Sequence, residues 1–409
     1  MDRKRINLRH LRAFREVARY RSISEASRHV HLSQPAITQA IAKLEDVLGT
    51  PLFERRSDGM FATPPGEIFC DRVDRALGFL AAGAADAIRV GLNRRTRGFS
   101  NFDQLLTMAQ LNALIAVSHA DNFSLAARAC GLSQPSLHRT ARDLERLSGI
   151  PLFRKTNRGI ELTEAARALV RHAKLALAEL DQGYAEVEAL HGVDTGQITV
   201  GSMPLSRTFL LPSAITALTG ERPEVQVGVV DGPYDDLLHG LRHGEIDVLI
   251  GALRQPPPIE DVAQEPLFDD PLAIVARSGH PLASKTNISL EELAGYPWAV
   301  PRRGTPTRDH FERLFTDADL PVPVDLVETS SLILIRGLLL DSDRLTIISA
   351  HQIRHEQETG LLHPLDFDMS GTERTIGLTV RRDWRPTKTQ ERFLDLLRAA
   401  GKRLRHDAV

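Results

Sequence analysis

Laid against itself, the chain repeats at an offset of 100 residues. Leu32-Ser33-Gln34-Pro35 returns as Leu132-Ser133-Gln134-Pro135, and Leu44-Glu45 returns as Leu144-Glu145. Gly49, Pro51, Leu52 and Phe53 return as Gly149, Pro151, Leu152 and Phe153. Ala26, Arg28, Gly59 and Thr63 match Ala126, Arg128, Gly159 and Thr163. Identities kept in register over about sixty residues mark a tandem duplication of one supersecondary unit, so the front of the chain must fold as two related bodies.

Each copy reads as helices followed by a hairpin. Leu8, Leu11, Phe14 and Val17 fall at helical spacing in the first, and Met108, Leu111, Leu114 and Ile115 in the second. A short helix is expected over Ser24 to Val30, then a turn at His31-Leu32. The next helix is opened by Ser33, a good N-cap, with Pro35 in the first turn, where its missing N–H costs nothing. Gly49 stops this third helix, and Pro51 to Thr63 reads as a hairpin turning at Asp58-Gly59. The pattern is a helix-turn-helix with a wing.

In such a motif the second helix of the pair enters the major groove N-terminus first. The candidate base-reading positions are therefore Ser33, Gln34, Pro35, Thr38 and Gln39 in copy one, and Ser133, Gln134, Pro135, His138 and Arg139 in copy two. Gln bonds adenine through two atoms and Arg does the same with guanine, so the copies need not read the same bases. Arg55 and Arg56 in the first wing, and Arg154, Lys155 and Arg158 in the second, stand where phosphates would be neutralised. Residues 1–191 carry 28 Lys and Arg against 21 Asp and Glu, whereas 192–409 carry 23 against 32. A basic front half suits a polyanion, and the acidic rear half has another partner.

These residues resemble the LysR-type regulators. The run from Ser33 to Ile41, then Lys43-Leu44-Glu45, Leu48-Gly49 and Pro51-Leu52-Phe53-Glu54-Arg55, looks like that family's DNA-binding signature. Ser133 to Leu137 and Pro151-Leu152-Phe153-Arg154 fit it nearly as well. Copy two departs at His138 and Ala141, where the family has a small hydroxyl and a branched aliphatic residue. Copy one departs at Ile23 and Pro64-Pro65. The resemblance implies a long dimerising linker helix after each wing. Ala165 to Leu190 carries the stripe for one, with Leu169, Ala173, Leu177, Leu180, Tyr184, Val187 and Leu190 at intervals of three and four. Glu67 to Val90 reads as a shorter version, either dimerising or packed on its own domain, and Arg94 to Ser100 reads as a connector.

From Gly196 short apolar runs alternate with helical segments. Ile198 to Gly201, Val225 to Val230 and Val248 to Gly251 read as strands of an α/β design. Gly196 to Gly201, Leu210-Leu211-Pro212 and Gly244-Glu245-Ile246-Asp247 resemble the family's effector domain, a two-lobed fold similar to type 2 periplasmic binding proteins. The expected organisation is a winged unit at 6–66, a helix and connector at 67–102, a second winged unit at 103–164, a linker helix at 165–193 and a sensing domain at 194–404. Its first lobe is expected over 194–267 with 384–404, and its second over 268–383.

By that likeness a ligand sits between the lobes, at strand ends and helix N-termini. The candidate contacts are Ser202 and Met203 after the first strand, Thr305 and Thr307 before one helix, and Ser330 and Ser331 before another. Each of the three loops also reads as a helix cap alone. Asp231-Gly232-Pro233-Tyr234, Gly304 to Arg308 and Ser342 to Leu345 look most like a subgroup with regulators of sugar-binding-protein and aromatic-acid genes, which points to a sugar, sugar acid or carboxylate.

No phosphate loop, nucleophile elbow or paired metal motif is readable, so the chain is read as a regulator and not an enzyme, with no cofactor or metal. His351, His355 and Glu356 are the nearest approach to a zinc set and read as surface residues. Cys70 and Cys130 fall in helical segments and read as small buried hydrophobes. The start is basic without an apolar stretch, and no run reaches a membrane span, so the expected location is the cytoplasm. The expected partners are double-stranded DNA, a small-molecule effector, a second copy in a dimer or tetramer, and RNA polymerase. Two rivals are kept: a regulator in which one winged unit serves assembly only, and a cytoplasmic small-molecule binding protein.

Overall fold

The offset of 100 is a structural repeat. In the computed structural model, which describes residues 6–91, 101–120, 122–157, 159–192 and 195–406, the first copy comprises α1 (Leu8–Tyr20), α2 (Ile23–Val30), α3 (Gln34–Leu48), β1 (Phe53–Arg56), β2 (Gly59–Ala62) and α4 (Pro64–Gly91). The second repeats that order as α5 (Met108–Ser118), α6 (Phe123–Cys130), α7 (Gln134–Ser148), β3 (Phe153–Thr156), β4 (Gly159–Leu162) and α8 (Glu164–Leu190). Together they make one compact unit, to which Arg242–Glu245 also belong.

The recurring identities are the groups that close the same hydrogen bonds twice. The hydroxyls of Ser33 and Ser133 accept from the backbone N–H of Ala36 and Ser136, capping α3 and α7. Gly49 and Gly149 end those helices with φ of 67° and 68°. The Glu45 carboxylate accepts from Leu52 N at 2.8 Å, and Glu145 from Leu152 N at 2.9 Å. Thr63 and Thr163 donate to the carbonyls of Pro51 and Pro151 at 2.7 and 2.8 Å. Each hairpin is thus fastened at its start to the preceding helix, and its two ends are fastened to each other.

Two boundaries differ from expectation. The first turn lies at Ser57-Asp58, because Arg56 pairs with Gly59. The helix after the first hairpin is not the shorter one: α4 has 28 residues and α8 has 27, since Pro64 and Pro65 stand in the first turn of α4, where they are tolerated. The expected connector Arg94 to Ser100 lies outside the described residues.

Neither of the two packings expected for the first long helix is its main one. It runs antiparallel along α8 of the same chain. A Cβ on Gly83 would lie 2.6 Å from Cβ of His172, and one on Gly183 would lie 2.8 Å from Cβ of Arg72. The bare backbones at 83 and 183 therefore let the helices approach closely, and small residues such as Ala84, Ala87, Ala173 and Ala176 are buried along both. The seam joins the core of copy one in a single cluster that includes Phe14, Phe69, Leu77, Leu80, Leu169, Leu177 and Leu180. The end of copy two that carries α6 and the start of α7 has its own smaller cluster of Ala113, Val117, Phe123, Ala126, Ala127, Leu137 and Ala141.

The second unit has two lobes. Its elements are β5 (Gln197–Ser202), α9 (Leu210–Glu221), β6 (Gln226–Asp231), α10 (Tyr234–Arg242), β7 (Val248–Ala252), β8 (Val262–Asp270), β9 (Leu272–Arg277), α11 (Leu290–Ala294) and β10 (Trp298–Val300). They continue with α12 (Pro306–Thr316), β11 (Leu326–Glu328), α13 (Leu332–Leu340), β12 (Leu345–Ser349), α14 (Arg354–Glu358), β13 (Leu362–Pro364), β14 (Arg374–Arg381) and α15 (Lys388–His406). One sheet has the order β6-β5-β7-β14-β8 and the other β11-β10-β12-β9-β13. The chain passes from the first sheet to the second between Asp270 and Leu272 and returns at Arg374. The expected second lobe, 268–383, is therefore too long at both ends: β14 lies antiparallel between β7 and β8, in the first lobe's sheet. Ile198, Val200, Val248, Ile376, Leu378 and Phe393 form the core of lobe one, and Ile274, Trp298, Phe311, Phe315 and Ile347 that of lobe two.

Candidate DNA interface and effector cleft

The first turns of α3 and α7 are polar and exposed in both copies. Ser33, Gln34, Pro35, Thr38 and Gln39 are exposed, as are Ser133, Gln134, Pro135, His138 and Arg139. Ile37, Ala40, Ile41 and Leu44 bury the opposite face of α3, and Leu137, Ala141 and Leu144 that of α7. Burial of that stripe fixes each helix's rotation, so the polar residues between the buried positions must face solvent.

Within these sets the roles divide. The Ser33 and Ser133 hydroxyls are engaged as caps, and Pro35 and Pro135 shape the first turn. Gln34 reaches Ser24 at 3.3 Å, and Thr38 donates to the Gln34 carbonyl at 3.1 Å. The His138 ring stands edge-on against Phe123 with centroids 5.1 Å apart. In the hairpins Arg55 and Lys155 are exposed, Arg56 pairs with Glu54 at 3.0 Å, and Arg154 pairs with Glu161 at 3.0 Å. Exposed pairs of this kind are worth ~1 kcal/mol or less, so a phosphate can displace either carboxylate. Arg158 lies outside the described residues. Arg21 was not legible in the motif: its guanidinium lies over Phe61 of the first hairpin, 5.0 Å from the ring centroid.

In the two-lobed unit the six expected ligand contacts do not form one cluster. Ser202 ends β5 fully buried, its hydroxyl 3.0 Å from that of Ser206 and accepting from Arg207 Nε at 3.3 Å. The Met203 N–H donates to Ile250 O at 3.0 Å, and Met203 packs against the cluster that includes Tyr234, Leu237 and Leu249. Thr305 caps α12 and Ser331 caps α13, the capping alternative in both cases, and Ser330 is exposed beside Ser331. Thr307 is buried and accepts from Arg374 Nη1 at 2.7 Å.

Arg374 leads to polar groups that no motif announced. Its other terminal nitrogen bonds Asp270, a carboxylate that also accepts from the Ser349 hydroxyl. Burial raises the Asp270 pKa, while Arg374 and Ser349 favour its charged form. Asp270 ends β8, Ser349 ends β12 and Arg374 begins β14, so the cluster sits where the chain crosses between lobes. Nearby, Thr208 Oγ1 lies 3.5 Å from the His351 carbonyl, spanning from lobe one to lobe two, and the His351 ring stands edge-on to Phe268. The alternation of β14 carries no sign that Arg374 would point at a lobe junction, which is why spacing did not find it.

Among the described residues no three of His, Cys, Asp and Glu gather as a metal site, and the Glu356 carboxylate is held by Arg336 at 3.0 Å. Among them, too, no helix is long and apolar enough to cross a membrane. Burial pushes the Cys70 thiol up to about 11, which keeps it unreactive near neutral pH.

The geometry has known counterparts. The model of the bacterial regulatory helix-turn-helix protein, lysR family, matches twice, over residues 8–67 and 108–167, and the LysR substrate binding domain matches residues 191–402. The HTH-type transcriptional regulator GalR of Pseudomonas putida is 36% identical over 375 residues, 92% of either chain. PcaQ of Agrobacterium fabrum is 27% identical over 302 residues, 74% of this chain but 97% of its own. Full-length CbnR, solved with its target DNA, shares the fold with a TM-score of 0.51 at 21% identity, covering 71% of this chain and 98% of that one. A regulator of ordinary length is thus matched almost entire while about a quarter of this chain is left over, a share close to one repeat. With a helix-turn-helix match on each copy and a substrate-binding match over the rest, the chain belongs to the LysR family of DNA-binding transcriptional regulators, which are not enzymes.

Proposed function

We propose that this regulator reads DNA with both of its hairpin-bearing units, each a winged helix-turn-helix, under the control of a small anionic or sugar-like ligand bound in the two-lobed domain. The observation that carries the DNA part is the equal exposure of the polar first turns of α3 and α7, on scaffolds fastened by the same hydrogen bonds. For the ligand, support comes from Ser202, Ser206 and Arg207 at the end of β5, next in the chain to Thr208, which reaches His351, and from Arg374, which bonds Thr307 from one lobe to the other. Two five-stranded sheets joined by crossing strands support the likeness to type 2 periplasmic binding proteins. The role implies a cytoplasmic location and contact with RNA polymerase. Exposed Val229 and Val230 on β6, with Ile333 and Leu334 on α13, offer apolar surface for self-association.

A ligand acts here only if it binds one arrangement of the lobes better than another. The test is to titrate DNA affinity and bending with a panel of aromatic carboxylates and sugar acids, using the wild type and Arg207→Ala. At least one compound is expected to change bending in the wild type and to need a higher concentration in the variant. Unchanged bending and affinity across the panel contradicts the ligand part. A second reading, in which copy two serves assembly alone, is favoured by the His138–Phe123 contact, which holds one of its reading side chains.

A further inference from the structure

The pairing of α4 with α8 obeys the repeat. The offset carries the contact between 83 and 172 onto the contact between 183 and 72, so the two copies are related by a pseudo-twofold. Leu77 and Leu177, buried midway between those contacts, lie next to the axis. The two contacts, however, are not chemically alike. Arg72, with its side chain 5% exposed, bonds Glu186 at 2.7 Å and both Glu179 and Gln182 at 2.9 Å, and Arg75 adds a second bond to Glu179 at 2.8 Å. Across the axis the same places hold His172, Phe79, Ala82 and Asp86; the imidazole lies 3.8 Å from Asp86 and 6.5 Å, ring to ring, from Phe79.

That asymmetry discriminates among partners. Were α8 to pair in this register with α8 of a second chain, Glu179 and Glu186 would face His172, leaving the buried Glu179 carboxylate without a guanidinium. Were α4 to pair with another α4, the buried Arg72 would face Phe79, Ala82 and Asp86. Asp86 would give Arg72 one carboxylate in place of two, and an imidazole would give Glu179 and Glu186 less than the guanidiniums do, so α4 against α8 satisfies the seam best. A pseudo-twofold pair of unlike readers also implies a target of matching form: two half-sites in inverted order, one read by Gln34, Thr38 and Gln39, the other by Gln134, His138 and Arg139.

We infer that α4 and α8 are a linker-helix dimer closed within one chain, so that a single chain carries a complete pair of DNA readers and recognises an asymmetric operator of two unlike half-sites. This deepens the proposed reading, since it rests on both units reading DNA. The seam is then closed to a second chain, and any homodimer forms elsewhere and brings four reading helices.

The test has two arms, both on the full-length protein. In a Cys70→Ala, Cys130→Ala background, Asp86→Cys and His172→Cys are treated with a short bismaleimide, and the product is resolved under denaturing conditions. A link within one chain, at monomer mass with the two peptides joined, is expected. Dimer-mass product as the main species, or no link, overturns the closed seam whether or not DNA is bound. In the second arm duplexes are selected from a random pool. Two unlike half-sites are expected, with His138→Ala/Arg139→Ala lowering affinity about tenfold or more through one of them only. An inverted repeat of identical half-sites, or loss of preference at both, overturns the asymmetric operator. A closed seam with a single selected half-site leaves the helix pair standing and removes the claim that both units read.

Discussion

The two copies share a scaffold and differ where it is put to use. Capping serines, terminating glycines, Glu45 and Glu145, and Thr63 and Thr163 make the same bonds in each. Among the residues that differ are some on the exposed first turns of α3 and α7, some beneath them, and some along the long helices. In copy one Ile41 fills the space under α3, and its core runs into the helix seam. In copy two the matching Ala141 leaves a groove of about 520 Å³ bounded by Phe123, His138, Phe153 and Ile160. The bonds that hold the fold recur in both copies, whereas residues on the exposed first turns of α3 and α7 and along the helix seam differ.

The largest effect expected from breaking this comparison is at the seam. Arg72→Ala breaks the bonds to Glu186, Glu179 and Gln182, leaves Glu179 with Arg75 alone, and should destabilise the N-terminal unit by about 3–5 kcal/mol. His172→Ala, at the related position, removes a weaker contact and should cost about 1 kcal/mol or less. Urea unfolding of the two variants measures the difference. Equal costs mean that the seam is symmetric in energy and does not select its partner.

A smaller pair of effects is expected under the reading helices. Ile41→Ala removes a buried side chain from a filled core and should cost about 2–4 kcal/mol. The reverse change, Ala141→Ile, adds apolar contact in an open groove and should stabilise copy two by about 1–2 kcal/mol. Thermal unfolding of the two variants checks the signs. A destabilising Ala141→Ile means that Phe123 already occupies the space and that the groove is not available to a larger side chain.

Local chemistry was legible in the sequence and long-range partnership was not. Ser33, Gly49 and the hairpin residues act within a few positions of themselves, so spacing revealed their units, and the buried stripes of α3 and α7 dictated which side chains face outward. Arg72 is different. It stands in a helical stripe like any surface arginine, and only the antiparallel placement of α8, more than a hundred residues on, makes it the centre of a buried cluster. Apolar periodicity predicts that a helix has a partner but not which one. The lobe junction was hidden for the same reason: Thr305 and Ser331 have capping sequences and cap α12 and α13, whereas Arg374, Asp270 and Ser349 come from three distant strand ends. The lobe boundary was misplaced because β14 crosses back to the first sheet with no break in its apolar pattern.

That both copies read DNA is tested most directly by protection mapping on a duplex selected by the wild-type protein. The comparison is between the wild type, Gln34→Ala/Gln39→Ala and His138→Ala/Arg139→Ala. Each double variant is predicted to erase a different part of the footprint and leave the other part in place. If either leaves the whole footprint unchanged, that copy does not read bases, and the chain works as a single-reader regulator with an added assembly domain.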